Sequence, residues 1–476
     1  MSQENNNRFA LYATLLALGL VGGISLLLWA ITSRVDRAVQ VNQNGSALGD
    51  ASLPEALRSR VSTGEEALFE EPSAEKAEGI QAIAQNNYAD AITAFNASLA
   101  EEPNDPETFI YRNNARIGDN RARTVAVVVP SEGSQGVSLE MLRGAAQAQY
   151  DINRNGGIDN ALLKLAIVKD ENDAEIASAI ARTLVGDEMV LGVVGHYSSD
   201  ITAETAPIYA QGQLVTISPV SASVDLSGIS PYLYRTVPSD SFAAAALAAY
   251  MVYYREDRNA AVFFDSTSEV SRSLKEEFAS FVSAWGGNII SEYDLSDSGF
   301  EADELLEAEQ EGADTVMIAA SLDTLDTAAE IINTNQGVLP VLGGDELYNR
   351  ALLEDTRENS QALTIAVPWH LLSRDTDAEF VRSSQDLWKG DVSWRTASTY
   401  DAVLAIATGL RGDASREGLK AALDSEEFSL DSASGPLQFL PSGDRRQVDR
   451  LVRVEPGTRS GAGYDFVPFT PLDSFE

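Results

Sequence analysis

From Arg123 onward, short apolar runs rich in β-branched residues alternate with longer segments whose apolar residues recur at helical spacing. The runs TVAVVVP and LLKLAIVKD are typical of buried strands, and MLRGAAQAQYDINRNGG between them is typical of a helix that ends at glycines. Strands that alternate with helices of this length predict parallel sheets. Because these units are too many for one doubly wound sheet of ordinary size, the pattern predicts an α/β protein with two lobes.

One stretch, from Val194 to Ser223, places two groups of small hydroxyl residues directly after two neighbouring predicted strands. In open α/β sheets, the carboxyl ends of the strands form the edge where ligands bind. Ser198, Ser199 and Asp200 stand where a helix begins, and the free N–H groups of a helix N-terminus favour a carboxylate. The same serines could serve only as helix caps, and the spacing leaves both interpretations open.

Ahead of the lobes, an uncharged apolar run extends from Phe9 to Thr32, behind a short tail of residues 1–8. At the rise of an α-helix this run spans about 36 Å, enough to cross the hydrocarbon core of a bilayer. Its length favours an uncleaved transmembrane anchor over a signal peptide or a buried core helix. We expect one N-terminal membrane helix, with the bulk of the chain extracytoplasmic on the periplasmic side, because long domains translocate largely regardless of charge.

The region between the anchor and the lobes divides into two parts. Residues 33–72 are polar with short apolar pairs and predict a linker, in which LPEALRSRV could form one short helix. Residues 73–119 alternate helical periodicity with tight turns, and Gly79, Tyr88 and Phe95 fall at the spacing of a tetratricopeptide repeat. Since fewer than three repeats rarely stand alone, this TPR-like unit should pack on the lobes, pair with another copy or dock a protein partner. A plain helical spacer is the alternative.

Composition narrows the classes of partner and chemistry. The 476 residues carry a formal net charge of -38, which makes nucleic acid a poor candidate partner. The chain has no cysteine, which excludes disulfides, thiolate metal sites and a cysteine nucleophile. We interpret the two histidines, His196 and His370, as ordinary residues at the rim of a cleft. No P-loop or nucleophile elbow is visible, so we expect no metal, no cofactor and no enzymatic activity.

Residues Arg123 to about Gly457 resemble the type I periplasmic binding protein superfamily, in particular the branched-chain amino-acid (Leu/Ile/Val)-binding proteins of ABC transporters. The segments that carry the resemblance are VVVPSEG, INRNGGID, IVKDEND, VVGHYSS, APIYA, LVTISPVSAS, YLYRTVPSD, TASTYDAVLA and GPLQFLPSGDRR. The resemblance implies a two-lobed flytrap fold over 123–457, with lobe 1 at about 123–237 and 368–434. Lobe 2 would hold about 238–367 and 435–457, ahead of a C-terminal tail, 458–476. The chain would cross between the lobes near Pro238, Pro368 and Ser434.

The same resemblance implies a set of ligand-binding residues. By position, Ser198, Ser199, Ser221 and Ser223 would hold the α-carboxylate of an amino acid. Asp345, in the turn GGDELYN of lobe 2, would meet its ammonium group, with a surface turn acid as the alternative. Two positions depart from the family pattern, Ala222 where a threonine is usual and Ser321 where a tyrosine is frequent. Further residues expected to line the cleft are Tyr197, Ala222, Ser321 and His370.

The sequence therefore predicts a membrane-tethered substrate-binding protein of an ABC transporter. It would bind an amino acid or similar small polar solute between its lobes and deliver it to the permease subunits. The alternative is an extracytoplasmic interaction or scaffold protein that works through the TPR-like unit, with the flytrap fold as a regulator or sensor, for example of cell-envelope enzymes.

Overall fold

The computed structural model describes residues 55–130, 135–373, 378–447 and 449–470, which belong to a single unit. The helices are α1 (Glu55–Arg58), α2 (Ala74–Ala84), α3 (Tyr88–Glu101), α4 (Pro106–Ile117), α5 (Gln135–Arg154), α6 (Ala174–Gly186), α7 (Ser199–Gln211), α8 (Asp240–Ala249), α9 (Glu269–Ala284), α10 (Glu304–Glu311), α11 (Leu325–Asn335), α12 (Arg350–Thr356), α13 (Ala378–Trp388), α14 (Trp394–Gly409) and α15 (Arg416–Leu423). The strands are β1 (Val61–Ser62), β2 (Ala122–Val129), β3 (Leu162–Lys169), β4 (Val190–Val194), β5 (Thr216–Ser218), β6 (Leu233–Arg235), β7 (Asn259–Phe264), β8 (Asn288–Asp294), β9 (Thr315–Ala319), β10 (Val341–Gly343), β11 (Leu363–Val367), β12 (Leu430–Ser432), β13 (Gly435–Leu437), β14 (Arg450–Pro456) and β15 (Tyr464–Phe469).

The anchor predicted at Phe9–Thr32, the tail before it and the first part of the predicted linker lie outside the described residues. None of the helices that the structure describes combines the length and the apolar character that a bilayer crossing requires.

The first lobe is built on a six-stranded sheet of order β1-β3-β2-β4-β5-β6. The strands from β2 to β6 are parallel, and only β1 runs antiparallel to its neighbour. Residues 124–129 of β2 are buried throughout, which is expected of a parallel strand that helices cover on both faces. Helices α5 and α14 pack against each other beside this sheet, where a side chain at Gly144 would collide with the backbone of α14.

The second lobe has a seven-stranded sheet of order β15-β14-β11-β10-β9-β7-β8. Its five strands from β7 to β11 are parallel, and β14 and β15 add an antiparallel hairpin at one edge. The predicted α/β architecture with two lobes and mostly parallel sheets is thereby confirmed. Strand β15 lies within residues 458–476, which the sequence suggests as a tail; Phe466 of this strand is buried against the core.

Three segments connect the lobes. The first joins β6 to α8 through Pro238, and the second follows β11 through Pro368. The third lies between Arg445 and β14. Arg445 still belongs to lobe 1, since its guanidinium bonds Asp401 of α14, whereas β14 belongs to lobe 2. It therefore falls further along the chain than the position near Ser434 that the resemblance suggests. The chain passes Ser434 still within lobe 1, where this serine also donates a hydrogen bond to Asp401.

Helices α2, α3 and α4 occupy the region 73–119 and pack in succession, with α4 lying on α5 and β3 of lobe 1. Gly79 of α2 lies against the ring of Phe95 of α3, closely enough that a methyl group at residue 79 would collide with it. The buried ammonium of Lys76 bonds Asp105 at 2.8 Å and Glu107 at 2.7 Å, which fixes α2 to α4. These helices are continuous with the core of lobe 1, while their assignment to tetratricopeptide repeats stays a prediction.

Residues 55–72 fall in the predicted linker but are part of lobe 1. Val61 and Ser62 form β1, which pairs with β3, and Leu68 is buried in the core beneath α4. The backbone N–H of Leu68 donates to Glu107 Oε1 at 2.6 Å. The polar composition of this stretch does not predict a buried strand. Its serine and threonine hydroxyls can be buried because they donate hydrogen bonds to the carbonyl of Glu66 and to the side chain of Glu65.

Asn114 of α4 is the polar centre of this attachment. Its buried amide Nδ2 donates to the carbonyls of Thr63 and Leu165, and its Oδ1 accepts from Gln149 Nε2 at 2.8 Å. We expect Asn114→Ala to lower the free energy of unfolding by about 2 kcal/mol, because buried partners lose their hydrogen bonds. Urea denaturation measures this loss. Asn96→Ala, at an exposed amide that accepts one long bond of 3.4 Å from Arg112, is the control; equal losses in both variants would contradict the account.

Candidate functional site

A small cavity lies between the lobes, at the level of the three connecting segments. Its volume is about 20 Å³, room for about one water molecule in this closed arrangement. Ala222 of lobe 1, residues of lobe 2 and a residue from each connecting segment contribute to its wall. The lining residues are Ala222, Pro238, Ser239, Asp240, Ala243, Val270, Leu274, Ala320, Gly344, Asp345, Glu346, Pro368 and Asp449.

Four of these lining residues are acidic and none is basic. Asp240 opens α8 directly after the first connection, and Asp345 and Glu346 form the turn after β10. Asp449 stands at the end of the third connection, immediately before β14. The side chain of Asp240 is buried, and its Oδ2 atom has no hydrogen-bond partner among the described residues.

The carboxyl groups of this cavity resist ionisation. Burial raises the pKa of Asp240 to about 7, and the negative charges of Glu277 and Glu346 act in the same direction. Burial also raises the pKa of Asp449 to about 8, with a further contribution from Asp240. The pKa of Asp345 lies well above its usual range because of burial and, next, because of Glu346 beside it. Near pH 7 the closed cavity therefore holds protons on carboxyl groups that would be ionised in water.

Glu346 joins the two lobes through both of its oxygens. Its Oε1 accepts a hydrogen bond of 2.7 Å from the hydroxyl of Tyr197, and its Oε2 accepts one of 2.6 Å from Arg395 Nη2. Tyr197 follows β4 and Arg395 opens α14, so both partners belong to lobe 1, while Glu346 belongs to lobe 2. We call Tyr197, Glu346 and Arg395 the interlobe clasp. The pair of Arg395 and Glu346 is largely buried, with side-chain exposures of 6% and 14%.

Two further contacts cross the cleft away from the clasp. The N–H of Glu269, at the start of α9, donates to Asp200 Oδ2 at 3.2 Å, and the N–H of Val224 donates to Ser273 Oγ at 3.0 Å. Both contacts bring the N-terminal part of α9 in lobe 2 to the end of the sheet in lobe 1. The carboxylates of Glu269 and Asp225 also meet here, and the pKa of Glu269 is raised by burial and by Asp225.

The hydroxyl oxygens of the four predicted serines all form hydrogen bonds within lobe 1. Ser198 Oγ caps α7 by accepting from the N–H of Ile201, and Ser199 Oγ accepts from the N–H of Ser223 at 3.3 Å. Ser223 Oγ in turn accepts from the N–H of Asp225. These bonds join the start of α7 to the turn after β5. The two clusters of hydroxyl residues that the sequence places after neighbouring strands therefore lie next to each other.

Ser221 is the centre of a separate buried network. Its hydroxyl lies 2.8 Å from the hydroxyls of both Thr202 and Ser218 and 3.0 Å from the carbonyl of Tyr197. The structure thus brings the serines to one edge of the sheet, as the sequence predicts, but their side chains stabilise that edge. None of the four belongs to the residues that line the cavity.

The remaining predicted cleft residues divide between the cavity and the core. Asp345 and Ala222 line the cavity, whereas Tyr197 belongs to the clasp beside it. Ser321, two residues after β9, donates to Asp265 Oδ2 at 2.6 Å and is not among the lining residues. His370 is buried near the second connection, where its Nδ1 accepts from the N–H of Leu372. Burial lowers the pKa of His370 to about 4, which leaves the ring neutral at neutral pH.

The interpretation of His196 as a rim residue is wrong. The imidazole is fully buried in lobe 1, with Nδ1 2.5 Å from Asp170 Oδ2 and Nε2 2.9 Å from the hydroxyl of Tyr209. The ring thus connects the ends of β3 and β4 to α7. The sequence shows only that His196 lies in a turn. Its burial depends on Asp170 and Tyr209, which are distant in sequence. Within the described parts of the chain, no group of three or more His, Cys, Asp or Glu residues could hold a metal ion.

Sequence patterns alone do not single out Asp240, Asp449, Glu346 or Arg395. The one indication for Asp240 is its place two residues after Pro238, at a predicted connection between the lobes. Glu346 is the neighbour of the predicted Asp345, but nothing in its local sequence indicates a partner on the other lobe. Because the chain has 72 acidic residues, residue type alone does not identify the acids of the cavity. Their position near a predicted connection between the lobes is the feature that could identify them.

The raised pKa of Asp449 gives a testable dependence on pH. A carboxyl whose pKa is higher in the folded than in the unfolded protein stabilises the fold below about pH 4, and that stability is lost as the pH rises toward the folded value. Asp449→Asn removes this group, which faces Asp240 and lies near Arg450. The free energy of unfolding of the variant should therefore fall less from pH 5 to pH 8 than that of the unsubstituted protein. We expect the difference between the two proteins to grow by roughly 1 to 2 kcal/mol over this range, in favour of the variant.

Urea denaturation at both pH values measures this gain. Asp355→Asn, which neutralises an exposed carboxylate of lobe 2, is the matched control and should show no such pH-dependent gain. A gain of the same size in both variants would contradict the assignment to the cavity.

Comparison with known proteins places this architecture among characterised families. The sequence profile of a family described as periplasmic binding protein matches residues 123–456. The leucine-specific-binding protein of Salmonella typhimurium is 24% identical over 309 residues, which cover 63% of this chain and 82% of that protein. A protein of Pseudomonas aeruginosa described as an amino acid binding protein is 30% identical over 125 residues, but the match spans only 33% of that protein's length.

Solved structures share the fold at low sequence identity. The branched-chain amino acid transporter substrate binding protein LivJ of Streptococcus pneumoniae, in complex with isoleucine, is 18% identical with a TM-score of 0.63, and the match covers 73% of this chain and 100% of that one. An ABC transporter substrate-binding protein of Desulfitobacterium hafniense, in complex with Leu, is 20% identical with a TM-score of 0.63 and the same coverage. At these identities, the likeness concerns the fold.

Proposed function

The chain belongs to the periplasmic binding protein family, and on that premise we propose that it is an extracytoplasmic solute-binding protein of an ABC transporter. It holds a small amine-bearing solute, an amino acid or a related compound, between its lobes and delivers it to permease subunits. The names of its relatives, a leucine-specific-binding protein and an amino acid binding protein, support a ligand of this class.

The observation that carries this proposal is the distribution of polar groups across the cleft. Asp345 of lobe 2 lines a cavity between the lobes, beside a clasp in which Tyr197 and Arg395 of lobe 1 hold Glu346 of lobe 2. A carboxyl group in a closed, water-poor cavity suits an ammonium group, because charge-assisted hydrogen bonds are strong where water is excluded. Opening and closing at three connecting segments would admit and enclose the solute.

The N-terminal part of the chain completes the proposal. Residues 9–32 would anchor the protein to the membrane, with the lobes on the extracytoplasmic side, close to a permease. The helices of residues 73–119, which pack on lobe 1, would present their outer surface to a protein partner. This placement would keep the binding lobes near the membrane without a soluble carrier step.

Calorimetric titration of the purified full chain with the common amino acids and simple amines tests the proposal. Micromolar or tighter binding of one chemical class supports it. The chain should not be shortened to residue 119 or beyond for this purpose, because β1 and α2–α4 are part of the core of lobe 1. A folded protein that binds none of these compounds would contradict it.

A second candidate, an extracytoplasmic scaffold or interaction protein, is favoured by one observation. The Ser199 oxygen accepts a hydrogen bond and the Ser221 hydroxyl bonds Thr202, both within lobe 1, and the cavity of about 20 Å³ is too small for an amino acid without opening. In that case the helices of residues 73–119 would be the working surface and the lobes a rigid support or a regulator. The same titration separates the two candidates, because a scaffold binds no solute between its lobes.

A further inference from the structure

We propose that the solute of this cleft is an aliphatic diamine or polyamine, an organic cation with two or more ammonium groups and no carboxylate. This inference rests on the proposed function and narrows its ligand. It departs from the aliphatic amino acids named for the relatives, and it is argued from Asp240, Asp345 and Asp449, three carboxyl groups that line one cavity.

Of the four carboxyl groups around the cavity, one forms a salt bridge among the described residues. Glu346 is neutralised by Arg395 in the clasp, but Asp240, Asp345 and Asp449 form no salt bridge among the described residues. Arg235, whose charge also reaches Asp240, is held by Asp444 and by the carbonyl of Ser223. Three carboxyl groups therefore share a cavity with no cationic side chain among its described lining residues.

Asp240 supplies the second observation that points to a ligand. Asp240 is 5% exposed, and although Ser273 forms a hydrogen bond with its carboxyl group, the Oδ2 atom has no partner among the described residues. A buried carboxylate oxygen without a donor is costly and uncommon in folded proteins. An ammonium group offers three N–H donors and a compensating charge, so one terminal amine of the solute would satisfy this oxygen.

None of the described lining residues carries a positive charge, so the cavity itself has no cationic partner for a carboxylate. Within lobe 1, the Ser221 hydroxyl bonds those of Thr202 and Ser218 and the Ser199 oxygen accepts from a backbone N–H, while Arg395 Nη2 donates to Glu346 of lobe 2. A neutral amino acid would bring its carboxylate beside the carboxyl groups of the cavity, which could then not release their protons to meet its ammonium group without repelling that carboxylate. A diamine brings only positive groups, and each can displace a proton from a carboxyl whose pKa is raised.

The decisive comparison is between 1,5-diaminopentane and lysine, which is the same diamine with a carboxylate added. Calorimetric titration of the full chain at pH 7 should give a dissociation constant at least tenfold lower for 1,5-diaminopentane than for lysine, with leucine weaker still. Binding should release protons, seen as a dependence of the measured heat on the ionisation enthalpy of the buffer.

Variants place this binding in the cavity. Asp240→Asn and Asp449→Asn should each weaken binding of 1,5-diaminopentane at least tenfold. Asp355→Asn, which removes one exposed carboxylate of lobe 2, should leave it unchanged. This control is needed because a chain with a formal net charge of -38 attracts cations to its surface. If Asp240→Asn does not fold, Asp449→Asn carries the comparison.

Each outcome is decisive. Tighter binding of leucine or another neutral amino acid than of the diamine would overturn this inference and leave the proposed function standing. Diamine binding that neither cavity variant weakens would overturn it as well, because the cation would then sit on the acidic surface. A folded chain that binds neither amines nor amino acids would remove the proposed function, and this inference with it.

Discussion

Replacement of Asp345 by asparagine is expected to lower the affinity for the solute about 100-fold. The carboxyl of Asp345 lines the cavity between the lobes, and its pKa is raised by burial and by Glu346, so a bound ammonium group would relieve an unfavourable environment. Removing one partner of an enclosed, hydrogen-bonded charge pair typically costs 2 to 5 kcal/mol, and about 2.7 kcal/mol corresponds to 100-fold. Calorimetric titration with the best-binding compound of the panel measures the effect.

Two comparisons keep this result interpretable. Asp355→Asn removes the same charge from an exposed position and should bind as the unsubstituted protein does. The thermal unfolding midpoint of Asp345→Asn should not fall, since the substitution relieves repulsion by Glu346 in the unliganded protein. Unchanged affinity in a folded Asp345→Asn variant would place the ligand elsewhere than in this cavity.

Replacement of Arg395 by methionine is expected to destabilise the closed arrangement by about 3 to 5 kcal/mol. The substitution leaves Glu346, whose side chain is 14% exposed, with the hydroxyl of Tyr197 as its remaining side-chain partner among the described residues and with Asp345 beside it. Breaking a buried ion pair from one side is costly because the remaining charge is uncompensated. Solute affinity should fall with it, since binding requires the lobes to close.

A double-mutant cycle identifies the cause. The variant Arg395→Met with Glu346→Gln should regain a large part of the lost affinity, because no uncompensated charge remains. Methionine keeps most of the apolar contact with Trp394, over which the guanidinium lies. If the losses of the two single variants simply add in the double variant, the two side chains are not coupled and the clasp does not govern closure.

The fold could be predicted from the sequence because its signal is local and repeated. The β-branched run of β2 predicts a strand, and the helical periodicity of α5, which ends at glycines, predicts a helix. The alternation of such segments implies parallel sheets. The short strand β1 could not be predicted, since two residues carry no periodicity and its pairing with β3 lies more than a hundred residues away. Strand β15 was missed for a related reason, because only its hairpin with β14 distinguishes it from a tail.

The site could be predicted only in part. The turn of Asp345 and the position of Ala222 at the cleft followed from a resemblance, and both line the cavity. The spacing of the serines does not predict their roles. Ser221 forms hydrogen bonds with Thr202 and Ser218, and the sequence does not indicate that these residues are its partners. Arg395 and Glu346 meet across the lobes from positions 49 residues apart, and no local pattern records such a contact.

The most direct test of the account is the distance between the lobes with and without solute. Because the chain has no cysteine, spin labels at Ile229→Cys in lobe 1 and Glu276→Cys in lobe 2 report only that distance. Both positions are exposed, and they lie close in sequence to the Val224 and Ser273 contact across the cleft. Pulsed electron resonance on the full chain should show a longer, broader distribution without solute, and a short, narrow one at saturation. A single distribution that no solute changes would contradict a binding protein that closes on its ligand.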